Sequence, residues 1–150
     1  PVLRSVGFRV TVFDDRPELI TPERFPAAER LICGDFSHID RYLSFSAEDY
    51  IVVMTSGHTH DFIVQEQILR RDFASVGVIG SRAKTASVNA RLRAAGVQET
   101  AIASVHTPVG VAIKAVTPEE IAVSIAGEMI CERALRREKD GPRHHGCPMH

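Results

Sequence analysis

Short apolar runs alternate with amphipathic stretches along most of the chain. The run YIVVM at residues 50–54 is continuous and rich in β-branched residues, which is typical of a strand covered on both faces of a parallel sheet. Three further segments favour strands, namely FRVTVF at residues 8–13, RLICGD at residues 30–35 and SVGVIG at residues 75–80. We predict that RLICGD is a short buried strand.

Helical patterns lie between the strands. Residues 61–71 carry apolar positions loosely at helical spacing, and Asp61 stands in the first turn, where the helix dipole favours an acid. A second helix is predicted over residues 82–95, because Ser81 is a good N-cap and Gly96 suits the position just after a helix end.

The last third of the chain begins with an irregular part and ends with the longest predicted helix. Residues 101–116 are predicted to be a strand followed by an irregular connection. Thr117, Pro118 and Glu120 then combine an N-cap, a proline at the first helical position and a capping box. They predict a helix over residues 118–137, apolar on a broad face.

The alternation of strands and helices predicts the fold. Such a chain forms a mostly parallel sheet with right-handed crossovers, which is a doubly wound, Rossmann-like α/β fold. With 150 residues, we expect one domain at residues 1–135 and a flexible tail at residues 136–150. The apolar runs are strand-sized, which argues against a membrane span. A net charge of −1 argues against broad nucleic-acid binding.

The cysteines indicate the cellular compartment of the protein, and the first residues indicate whether the sequence is a fragment. Cys33, Cys131 and Cys147 have no disulfide-framework spacing, so we expect reduced thiols in a cytoplasmic protein, with Cys33 and Cys131 in the core. The chain begins at Pro1 without a signal peptide, and its first residues resemble the end of a helix. We therefore expect a fragment of a longer protein.

Candidate ligand-binding residues follow from the fold. In doubly wound sheets, ligands bind beyond the carboxyl ends of the strands, where helix N-termini and loop amides converge. That rule selects four loops, and their candidate cofactor-binding residues are Asp14, Asp15, Arg16, Thr55, Gly57, His58, His60, Gly80, Ser81, Arg82, Lys84, His106 and Gly110.

Two of these loops allow a ligand role or a purely structural one. Asp14 follows a strand where a dinucleotide-binding unit places the acid that bonds the ribose, but it could equally cap the next turn with Arg16 as its ion partner. The GSRAK segment at residues 80–84 offers amides, a hydroxyl and two cations to a phosphate or another anion. The alternative is a capped helix with two solvated charges.

The histidines are predicted to be pocket donors rather than metal ligands. His58 and His60, in the strand-to-helix loop TSGHTH, have the wrong spacing for a helical metal pair. With His106 they could donate to a ligand or act as an acid/base pair, or they could simply lie on a polar surface. No Ser-His-Asp arrangement is present. The tail offers further metal-type side chains but no rigid element to hold them, at His144, His145, Cys147 and His150.

Together these motifs resemble the C-terminal Rossmann-like domain of the XdhC/CoxI family. The resemblance runs from about residue 7 to about residue 133, and its motifs are, in order, VTVFDDRPE, TPERFP, VVMTSGHTHD, VGVIGSRAK, RLRAAGV and VHTPVGVAIKAVTPEEIAVSIAGEMI. Family members are accessory proteins for molybdenum hydroxylases such as xanthine dehydrogenase and carbon monoxide dehydrogenase.

The resemblance implies a binding and delivery role rather than an enzyme. The expected ligand is the molybdenum cofactor, held during sulfuration by a cysteine desulfurase-type protein and then handed to an apo-hydroxylase. GSRAK would hold the phosphate tail, and SGHTH or HTPVG would hold the polar head. A homo-oligomer is also expected, and NAD(P) stays possible as a ligand.

The chain departs from the family pattern at two places. The family has a glycine in its IGLDIGAETPEE stretch where this chain has Lys114, and an acid that this chain lacks. The family also has a glycine-rich strand and loop ahead of the helix that ends here near Val6. Without that central strand a strand edge would be open, to be filled by the rest of the protein or by another copy.

Two functions of other classes remain open. A nicotinamide-dependent oxidoreductase domain would use Asp14 as its ribose acid. A protein-interaction domain would use the same loops to contact the hydroxylase without any small ligand.

Overall fold

The computed structural model describes residues 1–141, and for His58 and Asp140 it describes the backbone alone. In chain order the elements are α1 (Val2–Ser5), β1 (Thr11–Asp14), β2 (Arg30–Cys33), a 3-10 helix (Phe36–Arg41), β3 (Tyr50–Val53), α2 (His58–Ile68), β4 (Ser75–Val78), α3 (Arg82–Ala94), α4 (Glu99–Ala103) and α5 (Pro118–Asp140). The described residues form four short strands, β1 to β4, and helices follow β2, β3 and β4, while only turns connect β1 to β2.

The described strands form two parallel pairs that are not hydrogen-bonded to each other. β1 pairs with β2, with Thr11 opposite Arg30, and β3 pairs with β4, with Tyr50 opposite Ser75. Beyond β4, His106 forms a single parallel bridge with Gly77. All of these pairings are parallel, which confirms the predicted doubly wound, Rossmann-like fold, and no described strand joins the two pairs.

The predicted burial of the strands is wrong in detail. In β3 only Val53 is buried, and no residue of β2 is buried, although both runs are apolar. The physical reason is the open edge, because β1 and β3 each have a hydrogen-bonded neighbour on one side only. Cys33 at the end of β2 and Cys131 on α5 are exposed rather than in the core.

Two clusters of buried side chains hold the helices against the strands. The first contains Val53 and Val76 of the β3–β4 pair, Ile68 of α2 and Ile39 of the 3-10 helix. The second joins α3 and α4 through apolar side chains that include Leu92, which is fully buried. Together the clusters fix the ends of α2 and α3 relative to β3 and β4.

The helix ends with capping signals lie where the sequence predicts them. Ser81 accepts a hydrogen bond from the amide of Lys84 at the start of α3, and Gly96 follows its end with a φ angle of +78°. Thr117 and Glu120 form the predicted capping box of α5. The helix continues to Asp140, slightly beyond its predicted end.

Two predicted elements differ from the structure. α2 begins at His58 rather than at Asp61, because Gly57 adopts an extended conformation and takes the N-cap position. Residues 99–103 form α4, so the predicted strand there shrinks to the bridge at His106. The tail histidines and Cys147 lie outside the described residues. No helix within residues 1–141 is both long and apolar enough to cross a membrane.

Candidate functional site

The candidate site lies where β3 and β4 end and where α2 and α3 begin. Thr55 and Gly57 lie between β3 and α2, and Gly80 and Ser81 lie between β4 and α3. Both connections are short, so each parallel strand delivers its loop to the same edge of the sheet.

A buried aspartate joins the two loops. Asp61, in the first turn of α2, is only 1% exposed. Its Oδ1 accepts a hydrogen bond from the hydroxyl of Thr55, and its Oδ2 lies in an ion pair with the ammonium group of Lys84 on α3. A buried carboxylate is costly unless it is paired, so this contact fixes the position of α2 relative to α3.

A small cavity lies beside this ion pair. It has a volume of about 10 Å³, which is about the space that one water molecule needs. Thr85 and Thr107 also line this cavity, and their hydroxyls are 3.0 Å apart, which ties the loop after the His106 bridge to α3. The cavity can hold no more than about one water molecule, so a larger ligand would lie outside it.

The mouth of the site is positively charged. The first amides of α3 point out of the helix, and the helix dipole adds a partial positive charge there. Arg82, at the first position of α3, is exposed, and no described carboxylate pairs with it. Lys84 differs, because Asp61 neutralises its charge. Gly80 has no side chain, so it does not obstruct the approach of a ligand to this helix end.

Asp14 and Arg16 form a compact turn of their own. The amide and Nε of Arg16 donate to Oδ1 of Asp14 at 3.0 and 2.8 Å, and its Nη2 donates to Oδ2 at 2.9 Å. Asp15 is 3.8 Å from the same guanidinium group. The hydrogen bonds from Arg16 hold the pKa of Asp14 below its usual value, against the effect of partial burial. This geometry favours the structural interpretation of Asp14, since both of its oxygens are engaged.

The two candidate histidines whose side chains are described, His60 and His106, lie in different surroundings. The ring of His60 packs on Phe36, with centroids 5.1 Å apart, while the side chain of His58 lies outside the described part. His106 faces α5, where its Nδ1 is 3.2 Å from Oε1 of Glu128. Oε2 of Glu128 accepts a hydrogen bond from the amide of Gly110 at 2.8 Å. His106 and Gly110 are therefore held against α5, whereas Thr107 points to α3.

The structure thus brings together only part of the predicted site. Thr55, Gly80, Ser81, Arg82 and Lys84 lie around the start of α3 and the Asp61 carboxylate. No described hydrogen bond or ion pair links this group to the turn at residues 14–16 or to the side chain of His106. The described side chains include no group of three or more metal-type ligands.

Two acids of the site are missed by sequence reasoning. The pattern predicts only a helix-dipole role for Asp61 and no role for Glu128, whereas Thr107 lies within the HTPVG segment that it selects. The apolar residues FIV directly after Asp61 are its one local signal, because a carboxylate beside a buried apolar segment needs a partner. Nothing local indicates Glu128, since its partners lie in another part of the chain.

Comparison with known proteins gives a consistent result. The sequence profile of the XdhC Rossmann domain family matches residues 1–129. The chain is 30% identical over 126 residues to YqeB, an uncharacterised protein of Escherichia coli, covering 83% of this chain and 23% of that protein. It is 31% identical over 129 residues to a Bacillus subtilis protein named as a probable subunit of xanthine dehydrogenase, covering 86% of this chain and 37% of the relative.

A solved structure has the same fold. The crystal structure of a protein from Bacillus halodurans, described as a xanthine dehydrogenase, matches with a TM-score of 0.81 and 25% identity. The match covers 94% of this chain and 42% of that protein. The chain therefore spans less than half the length of each of these three proteins.

Proposed function

Because this chain belongs to the XdhC Rossmann domain family, we propose that it acts as an accessory domain for a molybdenum hydroxylase of the xanthine dehydrogenase or carbon monoxide dehydrogenase type. In this role it binds the molybdenum cofactor, shelters it while a cysteine desulfurase-type partner sulfurates it, and assists its insertion into the apo-hydroxylase. The names of two relatives, one a probable subunit of xanthine dehydrogenase and one described as a xanthine dehydrogenase, support this assignment.

One observation carries the proposal, namely the exposed start of α3 beside the polar loop of β3. Phosphates bind at helix N-termini because free amides and the helix dipole face them. Ser81 supplies a hydroxyl there, and Arg82, which pairs with no described carboxylate, supplies a cation beside the first amides of α3. Thr55 and Gly57 form the opposite side of the same edge. A phosphate tail and a polar ring system both find suitable groups in this arrangement.

These residues fit the phosphate end of the cofactor better than they fit its metal end. When bound, the cofactor would supply the oxo-metal centre that the hydroxylase requires. The part of this chain would be to bind and orient it, with Arg82 and the α3 amides on the phosphate. The cavity is too small for a ring, so the ring system of the ligand would lie outside it.

Titration of purified molybdenum cofactor tests this function. Arg82→Ala should weaken binding at least about tenfold, because a charge-assisted hydrogen bond to phosphate contributes about 1.5–3 kcal/mol. Arg93→Ala, at the other end of the same helix, is the matched control and should bind as the wild type does. His58→Ala tests the second loop. Unchanged affinity in both Arg82→Ala and His58→Ala would refute the site.

Native mass spectrometry of the purified protein identifies what it carries. A mass that corresponds to the molybdenum cofactor is the expected result. A nicotinamide dinucleotide would instead support the oxidoreductase alternative. An empty protein that still binds the apo-hydroxylase would support the protein-interaction alternative.

A further inference from the structure

The ion pair between Asp61 and Lys84 is unusual in both of its partners. Asp61 is 1% exposed, and among the described side chains only Thr55 donates a hydrogen bond to it. No hydrogen bond of ordinary geometry from the described residues reaches its Oδ2, which has the Lys84 ammonium group as its neighbour. A buried carboxylate oxygen with a single partner depends on that partner, because an uncompensated charge in the interior is strongly destabilising.

Lys84 stands at the end of α3 where a cation is least favourable. It is the third residue of the helix, and the positive end of the helix dipole disfavours an ammonium group there. Its side chain is 20% exposed, and it lines the small cavity beside Asp61. A lysine in this place could bind an anion together with the helix amides, but here its charge is already neutralised by Asp61.

We propose that Asp61 is a specificity-determining residue of the site. Its carboxylate neutralises the Lys84 ammonium group, and a ligand binds Lys84 only if it also supplies a donor to Asp61. We call this neutralising ion pair the mask. This inference rests on the proposed anion-binding function of the same site. A simple oxyanion can bind Lys84 but leaves the Asp61 carboxylate unpaired and buried, so the site rejects it. A ligand with both an anionic group and an amino or ring N–H donor satisfies both residues.

Threonine hydroxyls surround the ion pair between Asp61 and Lys84. Thr55 holds Oδ1 of Asp61 and keeps the carboxylate directed towards α3. The Thr85 and Thr107 hydroxyls, 3.0 Å apart, line the same small cavity, so a donor group that replaces Lys84 at Asp61 has to be small. The ligands that the site accepts are therefore phosphorylated molecules with an amino-substituted heterocycle, rather than free phosphate.

Calorimetric titration of inorganic phosphate into the protein tests the mask. Asp61→Asn keeps the shape of the side chain and removes its charge, which frees the Lys84 ammonium. We expect phosphate to bind at least about tenfold more tightly to this variant than to the wild type, as a newly available charged hydrogen bond would provide. Phosphate affinity that is unchanged or weaker in a folded Asp61→Asn protein would overturn the proposal.

Two further variants separate the mask from a general effect of charge. Glu99→Gln removes an exposed acid that pairs with Arg93 far along α3. It changes the net charge by the same amount and should leave phosphate affinity unchanged. Adding Lys84→Met to Asp61→Asn should abolish the gain. A gain that persists without Lys84 would overturn the proposal, since it would come from the lost negative charge alone.

Amine labelling provides a test that needs no variant. The chain contains three lysines, Lys84, Lys114 and Lys139, and the latter two are exposed. If Asp61 holds the Lys84 ammonium, an acetylating reagent should modify Lys84 several-fold more slowly than the other two, as measured by mass spectrometry. Equal labelling rates would overturn the mask even if Asp61→Asn fails to fold.

The phosphate titration and the cofactor titration test the ion-pair proposal and the proposed function separately. If the wild type does not bind molybdenum cofactor but Asp61→Asn gains phosphate binding, the proposed ligand is wrong and the mask stands. If the wild type binds the cofactor and Asp61→Asn gains nothing for phosphate, the function stands and the mask is wrong.

Discussion

At the scale of single residues, Lys114 adopts a backbone conformation that suits glycine. Its φ angle is +58°, where a residue with a Cβ is disfavoured by roughly 1 kcal/mol. Lys114→Gly should raise the free energy of unfolding by up to about 1 kcal/mol, partly offset by the freedom of glycine in the unfolded chain. Lys114→Ala, which keeps a Cβ, is the control in urea denaturation. Equal unfolding free energies of Lys114→Gly and Lys114→Ala would show that the backbone at residue 114 is not strained.

The turn of Asp14 and Arg16 predicts a dependence of stability on pH. Because Arg16 lowers the pKa of Asp14 in the folded state, the pair stabilises the fold above the usual carboxyl pKa of about 3.9. That contribution is lost as the pH falls through the lowered pKa. In an NMR titration, Arg16→Ala should raise the pKa of Asp14, and Arg24→Ala should not. A pKa that stays low without Arg16 would assign the shift to another group.

At the scale of elements, the start of α5 depends on its capping box. Oγ1 of Thr117 accepts a hydrogen bond from the amide of Glu120 at 3.2 Å, and the Glu120 carboxylate accepts one from the amide of Thr117 at 3.0 Å. Thr117→Ala should lower the free energy of unfolding by about 1 kcal/mol. Thr117→Ser keeps the hydroxyl and should retain most of the stability in thermal denaturation. Equal losses in both variants would exclude the cap as the cause.

The contact between β4 and the loop after the His106 bridge requires a glycine. A Cβ added to Gly77 would lie 2.2 Å from Cγ2 of Val109, which is too close for any real contact. Gly77→Ala should therefore destabilise the fold by about 1–3 kcal/mol, as overpacking does. Val109→Ala removes the obstructing methyl groups, so the double variant should recover part of the loss. Additive losses in a double-mutant cycle would show that the two residues do not meet.

What the sequence could predict of these elements depends on how local the signal is. Ser81, Gly96 and Thr117 define helix ends through hydrogen bonds with near neighbours, so α3 and α5 are predicted well. The burial of β3 depends on a neighbouring strand that no local pattern reveals, and its apolar run overstates its burial. The role of Asp61 is missed for the same reason, since Lys84 belongs to another helix.

At the scale of the whole molecule, the two strand pairs have open edges. The carbonyl groups of Asp49 and Val53 accept hydrogen bonds from residues 74 and 79, on the side of β4. Because backbone groups alternate along a parallel strand, Val52 directs its own amide to the opposite side. No described strand pairs with β3 on that side. An unpaired apolar edge of this kind is a template for another strand.

This open edge predicts self-association of the polypeptide of residues 1–150. Sedimentation velocity should show a weight-average mass that rises with protein concentration, because unpaired strand edges pair with one another. Val52→Pro removes an amide that faces the open edge but no hydrogen bond to β4, so it should reduce association. Ile51→Pro, whose amide faces β4, is the matched variant and should lower the melting temperature instead. Association that is equal in the wild type and Val52→Pro would assign the contact to another surface.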